Sequence, residues 1–318
     1  MDLLYIALAS ITFLSYKEKL LLKKNLDSIK SLALLSIDDI QLLIKRVLKS
    51  VKWNPLKCIK EAEISSKLFD AFDIKGVTCT DCEFPAMLMD IPDPPYAFFY
   101  RGNLEVLNKN TVSVVGTRNC TSESSRAAFD FSKAACDDNM AVVSGLAYGI
   151  DSFAHKGALS SEKDCCTAAI IPSGIDTIVP YGHKKLAQKI LERNGLIASE
   201  YVPGTPAMAF RFVERNRIIA ALSASTVVIH APGGSGSLIT ADFALDYNRE
   251  LYFHSVGFSQ MSEKVSQSVE KQKALKGKQY IKSARSYVED GAAVISDYAD
   301  FIKARLSPPG YKSCELLV

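Results

Sequence analysis

The sequence predicts an α/β fold, a parallel β-sheet with helices on both faces, preceded by a small all-helical N-terminal domain. Three observations predict it. Before residue 75 the apolar positions recur at helical spacing, with no strand-like alternation. From Thr111 onward, short apolar β-branched runs alternate with amphipathic segments, the pattern of strands buried on both faces by helices. Several of those runs end in turns rich in Gly, Ser and Thr, and ligands of parallel sheets sit beyond the carboxyl ends of the strands.

Taken in order, Leu3–Leu14 is apolar, too short to span a bilayer and without a basic flank ahead of it. It reads as the first helix of a cytoplasmic protein that has no membrane partner. Helical periodicity continues over Ser28–Lys49 through Ile29, Leu32, Leu35, Ile40, Leu43, Ile44 and Val47, and the lone Trp53 reads as a core residue. Residues 84–102 hold four prolines and reject a continuous helix, so they are expected to be extended. The strand candidates are Val112–Val115, Ala141–Val143, Ala168–Ile171, Leu196–Ala198, Val227–His230 and Leu251–His254. Between the first two, Glu123–Asp138 presents one apolar face of Ala127, Ala128, Phe131, Ala134 and Ala135. Residues 258–280 carry Lys264, Lys271, Lys273, Lys276 and Lys278, a solvated helix or loop that could also supply an auxiliary phosphate contact. The expected division is a helical domain over 1–78, a connector over 79–110, the sheet domain over 111–306 and a tail over 307–318.

Composition narrows the chemistry. In 318 residues, 48% are hydrophobic and 23% charged, ordinary for a soluble globular protein. A net charge of +3 is too small for a globally basic nucleic-acid binder, so any anion site must be local. The eight cysteines are irregularly spaced. Cys79 and Cys82 form one CxxC without a second ligand pair, and Cys165 and Cys166 read as buried thiols, so no metal is expected.

The most informative stretch is Arg211–Asp242. Arg211, Arg215 and Arg217 lead into a helical pattern through Ile218, Ile219 and Leu222, then a buried strand, then Gly233, Gly234, Ser235, Gly236 and Ser237 ahead of a second helix. A glycine-rich turn at a helix N-terminus offers backbone N–H groups and partial positive charge to an anion, and phosphate is the leading ligand. Similar turns follow the other strands at Gly116–Asn119, Ser144–Asp151 and Pro172–Gly174. Together they suggest an anionic ligand longer than a single phosphate, with Arg118 and the Arg215/Arg217 cluster beside it.

Catalytic signals are sparse. There is no G-x-x-x-x-G-K-S/T phosphate loop and no G-x-G-x-x-G after the first strand, and Ser237 stands where a nucleophile elbow needs its second glycine. Asp151 and His155, one helical turn apart, read as braces of their helix. His183, His230 and His254 have no evident partners.

Several blocks resemble one family. Val142–Asp151 (VVSGLAYGID), with Ala154, His155 and Gly157–Leu159, closely resembles the signature of the DNA-processing protein A family, also called DprA or Smf. Arg215–Ala220, Ser235–Ala241, Val115–Arg118 and Asp93–Pro95 with Arg101 and Gly102 match further blocks in the right order, over roughly residues 80–300. The resemblance implies an extended Rossmann-like domain that binds single-stranded DNA and forms a homodimer. It implies a role in protecting incoming strands during natural transformation and recombination, and in loading the RecA recombinase onto them, with no turnover, catalytic residue or cofactor. Carried over by motif, the DNA-binding residues are Gly116, Thr117, Arg118, Ser144, Gly145, Arg215, Asn216, Arg217, Gly234, Ser235, Gly236 and Ser237, with Phe212 for base stacking. A positive groove with an aromatic face is also what single-strand binding requires. The sequence departs from the family at His230, where an acidic residue is usual, and around Val256 and Gly257, and the residues after 306 are expected to form a tail and not the winged helix that many members carry.

An enzyme is the competing reading. Pro232–Ser237 also resembles the PGGxGT turn of nucleotide phosphoribohydrolases, Rossmann-like enzymes that hydrolyse an N-glycosidic bond. Those enzymes place a glutamate three residues after the threonine, and Thr240 stands there instead, unable to act as a base at neutral pH.

Overall fold

The computed structural model describes residues 2–164, 166–274 and 282–307. Cys165, Lys276, Lys278, the side chain of Lys273 and most of the expected tail lie outside the described residues. The chain forms two compact units: residues 1–101, 172–177 and 198–208 in one, and residues 102–171, 178–197 and 209–318 in the other.

The first unit begins with five helices, α1 (Leu3–Ser10), α2 (Tyr16–Asn25), α3 (Ile29–Ala33), α4 (Ile37–Ile44) and α5 (Pro55–Phe72). The continuous periodicity of Ser28–Lys49 is broken into α3 and α4. Ser36 caps the N-terminus of α4, and the Asp39 carboxylate accepts in return from the Ser36 N–H, a capping box that restarts the helix. α1 packs on α5, where the Cys58 thiol donates to the Ala7 carbonyl at 3.7 Å and Leu4, Leu8 and Ala62 are fully buried. Trp53 is half-buried as a structural residue, donating from Nε1 to the Leu35 carbonyl at 2.8 Å and meeting Phe13 edge-on. Strand β1 (Lys75–Thr78) pairs antiparallel with β2 (Ala97–Gly102), Val77 opposite Phe98. The proline-rich segment, free of continuous helix as expected, makes one short 3-10 turn at Ala86–Leu88 and ends in an extended, paired strand. Its last proline is Pro95, so the ladder hydrogen bonds of β2 are intact.

The chain continues with β3 (Thr111–Val115), α6 (Ser122–Asp137), β4 (Ala141–Ser144), α7 (Ile150–Leu159), β5 (Thr167–Ile170), α8 (Lys184–Glu192) and β6 (Leu196–Ser199). There follow α9 (Ala209–Ala221), β7 (Ser225–Val228), α10 (Gly236–Asp246), β8 (Glu250–His254), α11 (Gln260–Ala274), α12 (Ala284–Glu289), β9 (Ala293–Ile295) and α13 (Tyr298–Leu306). All six expected strands are present, with ends within two residues of those expected. The three-residue β9, too short to show a pattern, extends the sheet beside β8.

Within the second unit the strands run β5-β4-β3-β7-β8-β9, and the registered pairs are parallel. One face of the sheet, with Val112, Val114, Val142, Val227 and Tyr252, buries against α6, α7 and α13 through Ala128, Phe131, Ile150, Ala154 and Phe301. The other face carries Ser113, whose hydroxyl donates to the Ile219 carbonyl of α9 at 2.7 Å, and α10 packs beside α9. This is an α/β Rossmann-like architecture, preceded in the sequence by a helical N-terminal region. Strand order runs outward in both directions from the β3–β7 pair, which makes the carboxyl end of that pair the topological switch point where such sheets hold ligands. No described helix is long and apolar enough to cross a membrane.

Candidate functional site

A cleft of about 550 Å³ opens at that switch point. Its floor is the turn after β3, Gly116 to Asn119; one wall is α9 and another is the start of α10. On α9 the cleft is lined by Phe212, Val213, Arg215, Asn216 and Ile219, of which Phe212, Arg215, Asn216 and Ile219 share one helix face by their spacing of three and four. Asn216 donates from Nδ2 to the Gly236 carbonyl at 3.1 Å, tying α9 to the glycine-rich turn. Ser235, Gly236 and Ser237 form the lip at the N-terminus of α10, whose N-cap Ser235 makes no side-chain cap bond. The Ser235 and Ser237 hydroxyls instead face each other at 2.8 Å. No atom lies within 4 Å of where a Cβ on Gly236 would be, so its backbone can be approached closely.

Arg118 is exposed, and its guanidinium lies 5.2 Å from the centroid of the Phe212 ring. A cation and an aromatic face therefore share the mouth of the cleft. Arg215 is different. It is only 4% exposed and donates from Nη1 to the Ile170 carbonyl at 2.5 Å. Beside it, Asp151 accepts from the N–H groups of Gly145 and Ala147 at 3.2 and 3.4 Å. Burial pushes the Asp151 carboxyl up, and the Arg215 charge pulls it back, followed by those two N–H groups and Arg118. Asp151 and Arg215 thus compensate one another under the turn after β4 (Gly145–Gly149), and among the described lining residues the exposed positive charge is Arg118.

Glycine is required twice in that turn. Gly149, the N-cap of α7, has φ of +77°, and a Cβ there would collide with the carbonyls of Thr117 and Arg118. A Cβ on Gly145 would overlap the Arg215 guanidinium. Ser144 is fully buried, its hydroxyl donating to the Val114 carbonyl at 2.7 Å, so it ties β4 to β3 beneath the turn.

Nine of the thirteen sequence-expected residues line the cleft: Gly116, Thr117, Arg118, Phe212, Arg215, Asn216, Ser235, Gly236 and Ser237. Ser144 and Gly145 lie behind it as supports. Arg217, on the same helix, is not among the residues that line the cleft. Gly234, at φ +64°, gives its N–H to the Lys282 carbonyl at 3.0 Å and sits outside the lining. The turn at Pro172–Gly174 belongs to the other compact unit.

Helix α11 contributes two residues that sequence reasoning did not single out. Val269 lines the cleft, and Glu270 accepts from the Gly233 N–H at 2.7 Å. The helix is docked by a polar stripe: Ser262 meets Ser124 at 3.1 Å, and Ser266 meets His230 Nε2 at 3.3 Å. The spacing of Ser259, Ser262, Ser266 and Glu270 was the available signal. His155, buried, engages Thr167 Oγ1 at 2.7 Å, and burial holds its pKa at about 3. It braces α7 against β5, as its spacing from Asp151 suggests.

The fold and cleft define a Rossmann-like protein with a local cationic and aromatic cradle at its sheet's switch point. A profile of the DNA recombination-mediator protein A family matches residues 75–304, and the chain belongs to that family. It is 32% identical to the protein Smf of Borreliella burgdorferi over 258 residues, 81% of this chain and 80% of that one. It is 36% identical to the DNA processing protein DprA of Streptococcus pneumoniae over 196 residues, 61% and 66% of the two chains. The X-ray structure of DprA from S. pneumoniae superposes with a TM-score of 0.69 at 26% identity, covering 95% of this chain and 98% of that one. DNA processing protein A from Helicobacter pylori, whose structure addresses its single-stranded DNA binding mode, superposes with a TM-score of 0.60 at 25% identity, covering 74% and 96%.

Proposed function

We propose that this protein binds single-stranded DNA in the cleft between α9 and α10. In this reading it acts in the cytoplasm as a homodimer that protects incoming strands and loads RecA recombinase onto them during natural transformation and recombination, without chemical turnover. The observation that carries it is the Arg118 guanidinium over the Phe212 ring beside the α10 N-terminus. Arg118 and the helix terminus meet phosphate, while Phe212 offers a π-face that only an unpaired base can reach. Family membership and the single-stranded DNA binding of the H. pylori protein support the same assignment.

The enzyme reading finds less support in the cleft. Thr240 is buried in its wall where a hydrolase would need its glutamate, and the Asp151 carboxylate is engaged by two backbone N–H groups. Equilibrium binding of labelled oligothymidylate and of a matched duplex tests the assignment. Clear preference for the single strand is expected; equal binding to both, or turnover of a nucleotide, would overturn it. Order-of-addition strand-exchange assays with RecA then test the loading step.

A further inference from the structure

Outside the cleft, the turn after β4 and the segment before α8 bring together an exposed aromatic pair that the cleft does not use. Tyr148 is 50% exposed and Tyr181 77% exposed. The Tyr148 ring stands edge-on to His183 with centroids 4.6 Å apart, and His183 is held in turn by Nδ1 against the Leu146 carbonyl at 2.8 Å. Gly182 makes room for this arrangement, since a Cβ there would come within 2.7 Å of the Tyr148 hydroxyl. Lys184 Nζ lies 4.1 Å from the Tyr181 ring centroid, and Lys185 beside it is also exposed. Each ring is held at the surface by one contact, the His183 ring for Tyr148 and the Lys184 ammonium for Tyr181, and keeps much of its area open to solvent.

We propose that Tyr148 and Tyr181, with Lys184 and Lys185, form a second stacking platform for unpaired nucleobases, continuing the single-strand path out of the Arg118–Phe212 cleft. Continuity places it there: Ala147 lines the cleft, Tyr148 is the next residue, and Gly149 abuts the carbonyls of Thr117 and Arg118. A strand leaving Phe212 along this turn meets aromatic faces and ammonium groups in alternation, the composition that single-strand tracks use. A duplex keeps its base faces stacked inside and cannot use the platform. The rings carry no fixed hydrogen-bond pattern for a base edge, so the platform is sequence-tolerant.

The inference rests on the single-strand assignment above, and one experiment separates the two. The full chain, Y148A/Y181A and Y148F/Y181F are titrated with oligothymidylates of about 4 to about 16 nucleotides and with an abasic strand of the longest length. The parent and the phenylalanine variant should gain affinity together as the strand lengthens. The alanine variant should match them on the shortest strand and on the abasic strand, and fall behind on the longest by about tenfold or more. Superimposed length curves for the alanine variant and the parent would overturn the platform alone. So would an equal loss in the phenylalanine variant, or an effect of the alanine variant confined to oligomeric state, which would mark a protein interface instead. A parent that binds no single strand of any length would overturn the platform together with the assignment it rests on.

Discussion

The Arg215 guanidinium occupies the space that a Cβ on Gly145 would fill, and it donates from there to the Ile170 carbonyl. This fit holds the turn after β4 against α9, with Asp151 supplying the compensating charge. Substituting Gly145→Ala forces the guanidinium out. A loss of about 1–3 kcal/mol in urea unfolding is expected, together with weaker single-strand binding, because α9 carries Phe212. Unchanged stability would show that Arg215 relocates without strain.

Phe212 should act by stacking and not by charge. Phe212→Ala is expected to cost about 1–3 kcal/mol in single-strand affinity while leaving the salt dependence as in the parent, and Phe212→Tyr should retain most of the affinity. Binding of an abasic strand should be the same for parent and Phe212→Ala. A changed salt slope would show instead that the substitution disturbs Arg118.

How far the sequence revealed this cleft depends on the kind of contact. Strands β3, β4, β5, β7 and β8 were legible from β-branched apolar runs, and the switch point follows from their turns. The helical pattern through Ile218, Ile219 and Leu222 was legible, whereas its start at Ala209, which carries Phe212, Arg215 and Asn216 onto the helix, was not, because the arginines interrupt the apolar spacing. That Arg215 points inward to Ile170 while Arg118 points outward was not legible, because three nearby arginines look alike until the sheet is assembled. Ser144 and Gly145 read as ligand contacts for the same reason: buried support and exposed binding use the same small residues. Residues 258–280 read as a solvated helix or loop, and the docking of α11 was not legible because it is made by serines, which carry no apolar periodicity. The break at Ser36 shows local capping overriding a continuous apolar pattern.

Glu270 places a carboxylate on the Gly233 N–H at the edge of the anion site. It competes electrostatically with a phosphate there. Glu270→Gln keeps an acceptor for Gly233 and removes the charge, so single-strand affinity at low salt should rise by roughly 1 kcal/mol, about fivefold. The gain should shrink as salt is added. Unchanged affinity at low salt would mean that the strand does not pass Gly233.

Acid should destabilise the fold through its buried histidines. Burial, then the charges of His183 and Arg215, lower the His155 pKa from 6.5 to about 3, and burial lowers that of His254 to about 4. Between those values and 6.5 the unfolded chain binds protons that the folded chain refuses, so stability falls as pH drops through this window. For His155 the loss tends to a limit on the order of 5 kcal/mol, reached only below pH 3. Urea unfolding between pH 7 and pH 4 should show the decline, and His155→Gln should make it shallower. An identical slope in the variant would contradict the burial of a neutral imidazole.

The most direct test of the cleft as a single-strand site is the salt dependence of oligothymidylate binding by the parent and Arg118→Ala. Arg118 is the exposed cation among the described lining residues, so its removal should weaken binding and make the slope of log K against log salt shallower by about 0.7, one phosphate released. Equal affinity and an equal slope in both proteins would contradict the account, because the strand would then be passing somewhere other than the mouth formed by Arg118 and Phe212.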